Sequence, residues 1–122
     1  MSKKILLIED EKVLSEMYVD KLTEVGFKVI STIEAKEGLE LTKKERPDLI
    51  ILDLLLPQEN GIVFLTWLKK ESEISSIPVV IFSNFDEPET RKKAFKLGAK
   101  AYLIKTNYTP REMVEIIRDY LR

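Results

Sequence analysis

Five short apolar runs alternate with five longer amphipathic segments along the 122-residue chain. The runs are Ile5–Ile8, Phe27–Ser31, Leu49–Leu52, Ile77–Phe82 and Ala101–Ile104. Runs of four to six apolar residues between turn signals predict buried strands. The segments between them follow the helical period. Lys12 to Val25 carries Leu14, Tyr18, Leu22 and Val25 on one stripe and stops at Gly26. Ala35 to Glu45 carries Leu39 and Leu41, tolerates Gly38, and is broken by Pro47. Gly61 opens a segment with Phe64, Leu65 and Leu68 on one side. Asp86-Glu87-Pro88-Glu89 gives a helix start with an acidic first turn, and Gly98 stops that helix after Leu97. Thr109-Pro110-Arg111-Glu112 has the spacing of a capping box with proline at the first helical position. Met113, Ile116, Ile117, Tyr120 and Leu121 then share one face.

Five strand-helix units with continuously apolar strands predict a parallel sheet covered by helices on both faces. Right-handed crossovers make this a doubly wound α/β fold with five parallel strands. No repeat, low-complexity stretch or long linker interrupts the pattern, so residues 1–122 read as one domain.

Composition narrows the chemistry. Apolar residues make up 44% of the chain, enough for a core. The 20 basic and 21 acidic residues leave a net charge of −1, which offers no general attraction to nucleic acid or anionic membrane. The chain has no cysteine and no histidine. That removes disulfides, thiolate or imidazole metal sites, and histidine acid-base catalysis. A bound metal must take oxygen ligands, which favours Mg²⁺, Mn²⁺ or Ca²⁺. The apolar stretch Ile5–Ile8 is too short for a signal peptide or a membrane span, so a cytoplasmic location is expected.

The strand ends hold the candidate chemistry. In open α/β sheets, ligands bind beyond the carboxyl ends of the strands. Those ends carry Glu9-Asp10, Asp53, Ser83-Asn84 and Lys105, whereas the second strand ends in uncharged Ser31-Thr32. Three carboxylates converging on one crevice repel each other, so one must protonate or a cation must sit among them. Mg²⁺ suits the all-oxygen donor set, Lys105 offsets part of the charge and suits a phosphate, and Ser83 adds a neutral donor. The set fits phosphoryl transfer to a carboxylate. There is no GxxxxGK[ST] or GxGxxG nucleotide motif. An aspartate-nucleophile phosphohydrolase of the haloacid dehalogenase type needs a second acid two residues after the first, and Leu55 stands there. A binding module that keeps the fold without phosphorylation is the third reading.

Taken together, Glu9-Asp10, the segment Asp53-Leu54-Leu55-Leu56-Pro57-Gln58-Glu59-Asn60-Gly61, Ser83 and Tyr102-Leu103-Ile104-Lys105 resemble the receiver domain of bacterial two-component response regulators, in order and spacing. The resemblance covers essentially the whole chain and implies a flavodoxin-like (βα)5 fold with strand order 2-1-3-4-5. It implies that Asp53 accepts a phosphoryl group from a sensor histidine kinase or phosphotransfer protein. Glu9, Asp10, Asp53 and the main-chain carbonyl of Leu55 would hold Mg²⁺. Lys105 would pair with the phosphate, Ser83 would turn toward it, and Tyr102 would rotate inward. The output would pass through the face made by the fourth helix, fifth strand and fifth helix to a protein partner, without direct nucleic acid or membrane binding. The chain would be a signalling switch, catalysing only its own phosphorylation and dephosphorylation, and a monomer or phosphorylation-dependent dimer.

Four positions depart from the family pattern. Thr106 replaces the proline that usually follows the lysine through a cis bond. A non-proline cis bond costs about 2.5–4 kcal/mol, so a trans Lys105-Thr106 peptide and a rearranged loop are expected. Asn84 replaces a small residue beside the phosphoryl approach. Leu55 and Phe85 put apolar groups where attacking water would be oriented, which predicts a long-lived phosphoryl state. Trp67 reads as a partly exposed aromatic on the third helix.

Overall fold

The computed structural model describes residues 2–122. The elements follow the alternation in sequence: β1 (Lys4–Ile8), α1 (Lys12–Glu24), β2 (Lys28–Thr32), α2 (Ala35–Glu45), β3 (Leu49–Leu52), α3 (Gly61–Lys70), β4 (Val79–Ser83), α4 (Pro88–Lys96), β5 (Ala101–Ile104) and α5 (Pro110–Tyr120). A single 3₁₀ turn, Lys105–Asn107, joins β5 to α5. All strand pairs are parallel and the order is β2-β1-β3-β4-β5, as the resemblance implied.

Alternation within each strand sorts side chains onto two faces. Leu6, Ile8, Ile50, Leu52, Val79 and Ile81 join Phe64, Leu65 and Leu68 of α3 in one core layer. Ile5, Leu7, Leu49, Ile51, Val80 and Phe82 join Tyr18 and Leu22 of α1 and Met113, Val114 and Ile117 of α5 in the other. The central strands are buried on both faces, whereas the edge strands β2 and β5 are only partly so.

Several boundaries differ from the sequence reading: β1 begins one residue earlier at Lys4, β4 runs on to Ser83, and α4 ends at Lys96. Ile77 and Pro78 precede β4, because the Ile77 N–H donates to the Ile74 carbonyl in a turn. β2 begins at Lys28 rather than Phe27, and its ladder continues to Thr32. Val25 follows the last residue of α1 and is 40% exposed, so it leaves the predicted stripe, while Ser15 is buried within the helix. Gly38 has a packing reason: a Cβ there would lie 2.6 Å from Ile8 Cδ1, so glycine lets α2 close onto β1.

The capping box forms as predicted. Thr109 Oγ1 accepts from the Glu112 N–H at 3.1 Å, and Glu112 Oε1 accepts from the Thr109 N–H at 2.8 Å. Trp67 is partly buried, packed against the first core layer. Among the described residues, no helix is long and apolar enough to cross a membrane.

Candidate functional site

The sheet ladder carries the acids to one edge. Beyond the last paired residues, the Glu9 N–H donates to the Thr32 carbonyl and the Asp53 N–H to the Ile8 carbonyl, each at 3.0 Å. Glu9 and Asp53 therefore leave adjacent strands side by side. After Asp53 the chain turns sharply into α3, whose first residue is Gly61. A Cβ at Gly61 would lie 2.7 Å from the Asp53 carbonyl oxygen and 2.8 Å from Leu54 Cα, so only glycine lets the helix start against this loop. Asn60 caps α3 by accepting from the N–H groups of Ile62 and Val63.

The acids, Ser83 and Lys105 converge here, whereas Trp67 lies apart on α3. Glu9, Asp10 and Asp53 each place a carboxylate oxygen within 4.8 Å of the others. Glu9 and Asp53 are buried and Asp10 is exposed. Lys105 is also buried and donates to both Glu9 Oε1 and Asp53 Oδ2, the latter at 2.6 Å. Asp53 Oδ1 accepts from the Ser83 hydroxyl at 2.6 Å and from the Leu55 N–H at 3.0 Å. Glu9 Oε2 accepts from the Glu11 N–H at 3.1 Å. With both oxygens of each buried acid engaged, the burial is compatible with charge.

The cluster remains acidic. Two buried carboxylates face one ammonium, with Asp10 at the rim. Burial pushes the Glu9 carboxyl above its ordinary 4.5, and nearby Asp53 adds to the rise, against the opposing hydrogen bond and charge of Lys105 and the Glu11 N–H. Burial works to lower the Lys105 pKa, but its hydrogen bonds to Asp53 and Glu9, with their charges, outweigh this and raise it. The ammonium is thus held charged. The donor set is entirely oxygen and carries excess negative charge, which fits a hard divalent cation such as Mg²⁺.

A chain of hydrogen bonds leads away from Asp53. The Ser83 hydroxyl that donates to Asp53 accepts from the Phe85 N–H at 3.3 Å. The Phe85 carbonyl accepts from the Tyr102 hydroxyl. Tyr102 already points inward and is 5% exposed, whereas the resemblance placed the inward rotation after phosphorylation. Arg91 of α4 lies 4.9 Å over its ring and pairs with Asp86 at 3.8 Å.

The pocket over Asp53 has a volume of about 170 Å³ and is lined by Asp10, Leu14, Asp53, Leu55, Asn84 and Lys105, among others. Leu55 is 52% exposed at its mouth, and partly buried Phe85 meets Leu55 in an adjoining pocket rather than in this one. The Lys105-Thr106 peptide is trans, as expected, and the loop it opens is the 3₁₀ turn. Sequence reasoning noted Asn84 and Thr106 separately but missed that they meet: the Thr106 N–H donates to Asn84 Oδ1 at 3.2 Å. The only available signal was that Thr106 restores an N–H that proline lacks. Arg91 above Tyr102 left no sequence signal.

The model of the response regulator receiver domain matches residues 5–118. The chain belongs to the response regulator receiver domain family. It is 31% identical over 121 residues to the polar-differentiation response regulator DivK of Brucella anthropi, covering 99% of this chain and 98% of that protein. Among solved structures, it resembles a CheY-like receiver domain protein from Methanospirillum hungatei with a TM-score of 0.91 and 25% identity, over 99% of this chain and 94% of the other. The chemotaxis protein CheY4 of Vibrio cholerae shares the fold, with a TM-score of 0.89 and 23% identity, over 98% of each chain. This receiver domain is thus a component of two-component signalling.

Proposed function

We propose that the protein is a phosphorylation-dependent switch in which Asp53 accepts a phosphoryl group from the phosphohistidine of a sensor kinase or phosphotransfer protein. The observation that carries this reading is the buried Asp53 carboxylate held between Lys105 and Ser83, beside two further acids. An Asp53 oxygen attacks phosphorus, the phosphorus–nitrogen bond breaks with its electron pair returning to the imidazole, and an acyl phosphate remains. Lys105 turns from Asp53 toward the new phosphoryl oxygens, and Ser83 donates to one of them. Glu9, Asp10, Asp53 and the Leu55 carbonyl would hold Mg²⁺, which supplies positive charge against the crowded oxygens.

Tyr102 is the readout. Its bond to the Phe85 carbonyl ties its inward position to the loop that starts at Ser83, so a pull on Ser83 biases the surface of α4, β5 and α5. Residues 1–122 act together as one receiver unit, located in the cytoplasm. Leu55 and Phe85 offer apolar side chains where attacking water would be oriented, which gives the phosphoryl state a long life.

The test is to incubate the protein with acetyl phosphate and Mg²⁺ and weigh it intact. A gain of one phosphoryl group that vanishes in Asp53→Ala supports the reading. No gain under any phosphodonor and Mg²⁺ concentration overturns it in favour of a phosphorylation-independent binding module.

A further inference from the structure

Two loops meet over the pocket mouth. The loop after β4 carries Asn84, next to Ser83, and the 3₁₀ turn after β5 begins at Lys105. The first N–H groups of such a turn have no partner within it. The Thr106 N–H finds one across the gap, in the side-chain oxygen of Asn84. Asn84 thus caps, from another loop, the turn whose first residue, Lys105, reaches Asp53. Both ends of the bond depend on their residue types: proline at 106 would remove the donor and a small residue at 84 would remove the acceptor. Asn84 also lines the pocket above Asp53 beside Lys105 and Leu55.

We propose that Asn84 is a positioning residue that clasps these two loops together, fixing Lys105 over Asp53 and narrowing the path by which water reaches the phosphoryl group. This rests on phosphorylation of Asp53. In hydrolysis, water attacks phosphorus, the bond from phosphorus to the Asp53 oxygen breaks with its electron pair returning to the carboxylate, and inorganic phosphate leaves as the water proton passes to solvent. The clasp slows this step by holding the amide of Asn84 across the approach to phosphorus. A partner that separates the two loops would release this restraint, so the lifetime of the phosphoryl group becomes a quantity that docking can set.

The experiment follows phosphoryl loss from purified phosphoprotein in Mg²⁺, together with amide hydrogen exchange at Thr106. Asn84→Leu keeps the bulk and loses the acceptor. Thr106→Pro keeps Asn84 and loses the donor. Asn84→Asp keeps the acceptor. The clasp predicts about three- to tenfold faster loss in Asn84→Leu and in Thr106→Pro, the factor one hydrogen bond is worth. The double variant decays no faster than the faster single one, because both remove the same bond. Asn84→Asp keeps the slow loss. The Thr106 amide is protected in the parent protein and exchanges freely in Asn84→Leu. Parent-like decay in Asn84→Leu would overturn the proposal, since bulk alone then explains Asn84, as would multiplying rates in the double variant. If Thr106→Pro fails to fold, the Leu and Asp variants at position 84 still decide. A parent protein that never gains the phosphoryl group defeats phosphorylation of Asp53 instead, and the exchange rate of Thr106 still reports whether the clasp exists.

Discussion

The two ends of the sheet use the same residue types for opposite purposes. At the amino end, the Lys4 ammonium pairs with Glu45 at 3.1 Å, with both side chains about a quarter exposed. The Lys4 N–H also donates to Asp48 at 2.7 Å. At the carboxyl end, Lys105 pairs with Glu9 and Asp53, and none of the three side chains is more than 8% exposed. Water screens the first set, so each member can be lost at little cost. The second set is desolvated, and each charge needs the others. A lysine and two acids at a strand end therefore become a chemical site only when the sheet, the helices and Gly61 close around them. Burial separates the two clusters, and residue type does not.

Removing the central cation of each cluster gives the largest contrast. Lys105→Met leaves Glu9 and Asp53 buried without compensation and lowers metal-free stability by about 3 kcal/mol or more in urea unfolding with EDTA. Added Mg²⁺ restores part of the loss by replacing the missing positive charge. Equal losses on removing Lys105 and Lys4 would erase the distinction between the two ends.

The pH dependence sharpens the same contrast. Burial raises the Glu9 pKa above its ordinary 4.5, so the folded protein holds that proton more tightly than the unfolded chain does. Between 4.5 and the raised value the folded state binds more protons, so this group's contribution to stability falls as pH rises through that window and stays lower above it. Glu9→Gln cannot ionise. In EDTA it therefore gains stability relative to the parent as pH climbs from about 4.5, read from paired denaturation curves. A difference that stays flat with pH contradicts the desolvation of Glu9. At the other end, a lowered Glu45 pKa, caused by its hydrogen bond to Lys4, gives the opposite sign.

The smallest effect belongs to the amino end. Lys4→Met costs less than about 1 kcal/mol in the same unfolding assay and leaves phosphoryl gain unchanged, because its partner is open to water.

Much of this arrangement is legible in the sequence. Alternation of apolar runs with helical stripes reflects burial on two sheet faces, which is why the strand-helix order emerged with boundaries shifted by a residue or two. Glu9, Asp53, Ser83 and Lys105 were visible because a polar group at the end of an apolar strand is conspicuous. The difference in burial between Glu9 and Asp10 was not visible, since adjacent side chains leave a strand end on opposite sides and the pattern does not say which side closes. Nor could spacing reveal Asn84 meeting Thr106 or Arg91 stacking on Tyr102, because both contacts join segments whose relative position depends on the finished fold. Ile77 and Pro78 look like strand residues by composition, yet the turn bond to Ile74 delays β4 until Val79.

The proposed switch requires that the buried carboxylate of Asp53, rather than either neighbouring acid, carry the phosphoryl group. Borohydride reduces an acyl phosphate to the corresponding alcohol, so an aspartyl phosphate becomes homoserine and can be located by peptide mass spectrometry. After treatment with acetyl phosphate and Mg²⁺, homoserine is expected at position 53, with Glu9 and Asp10 unmodified. Reduction at Glu9 or Asp10, or a phosphoprotein whose residue 53 remains aspartate, would contradict it.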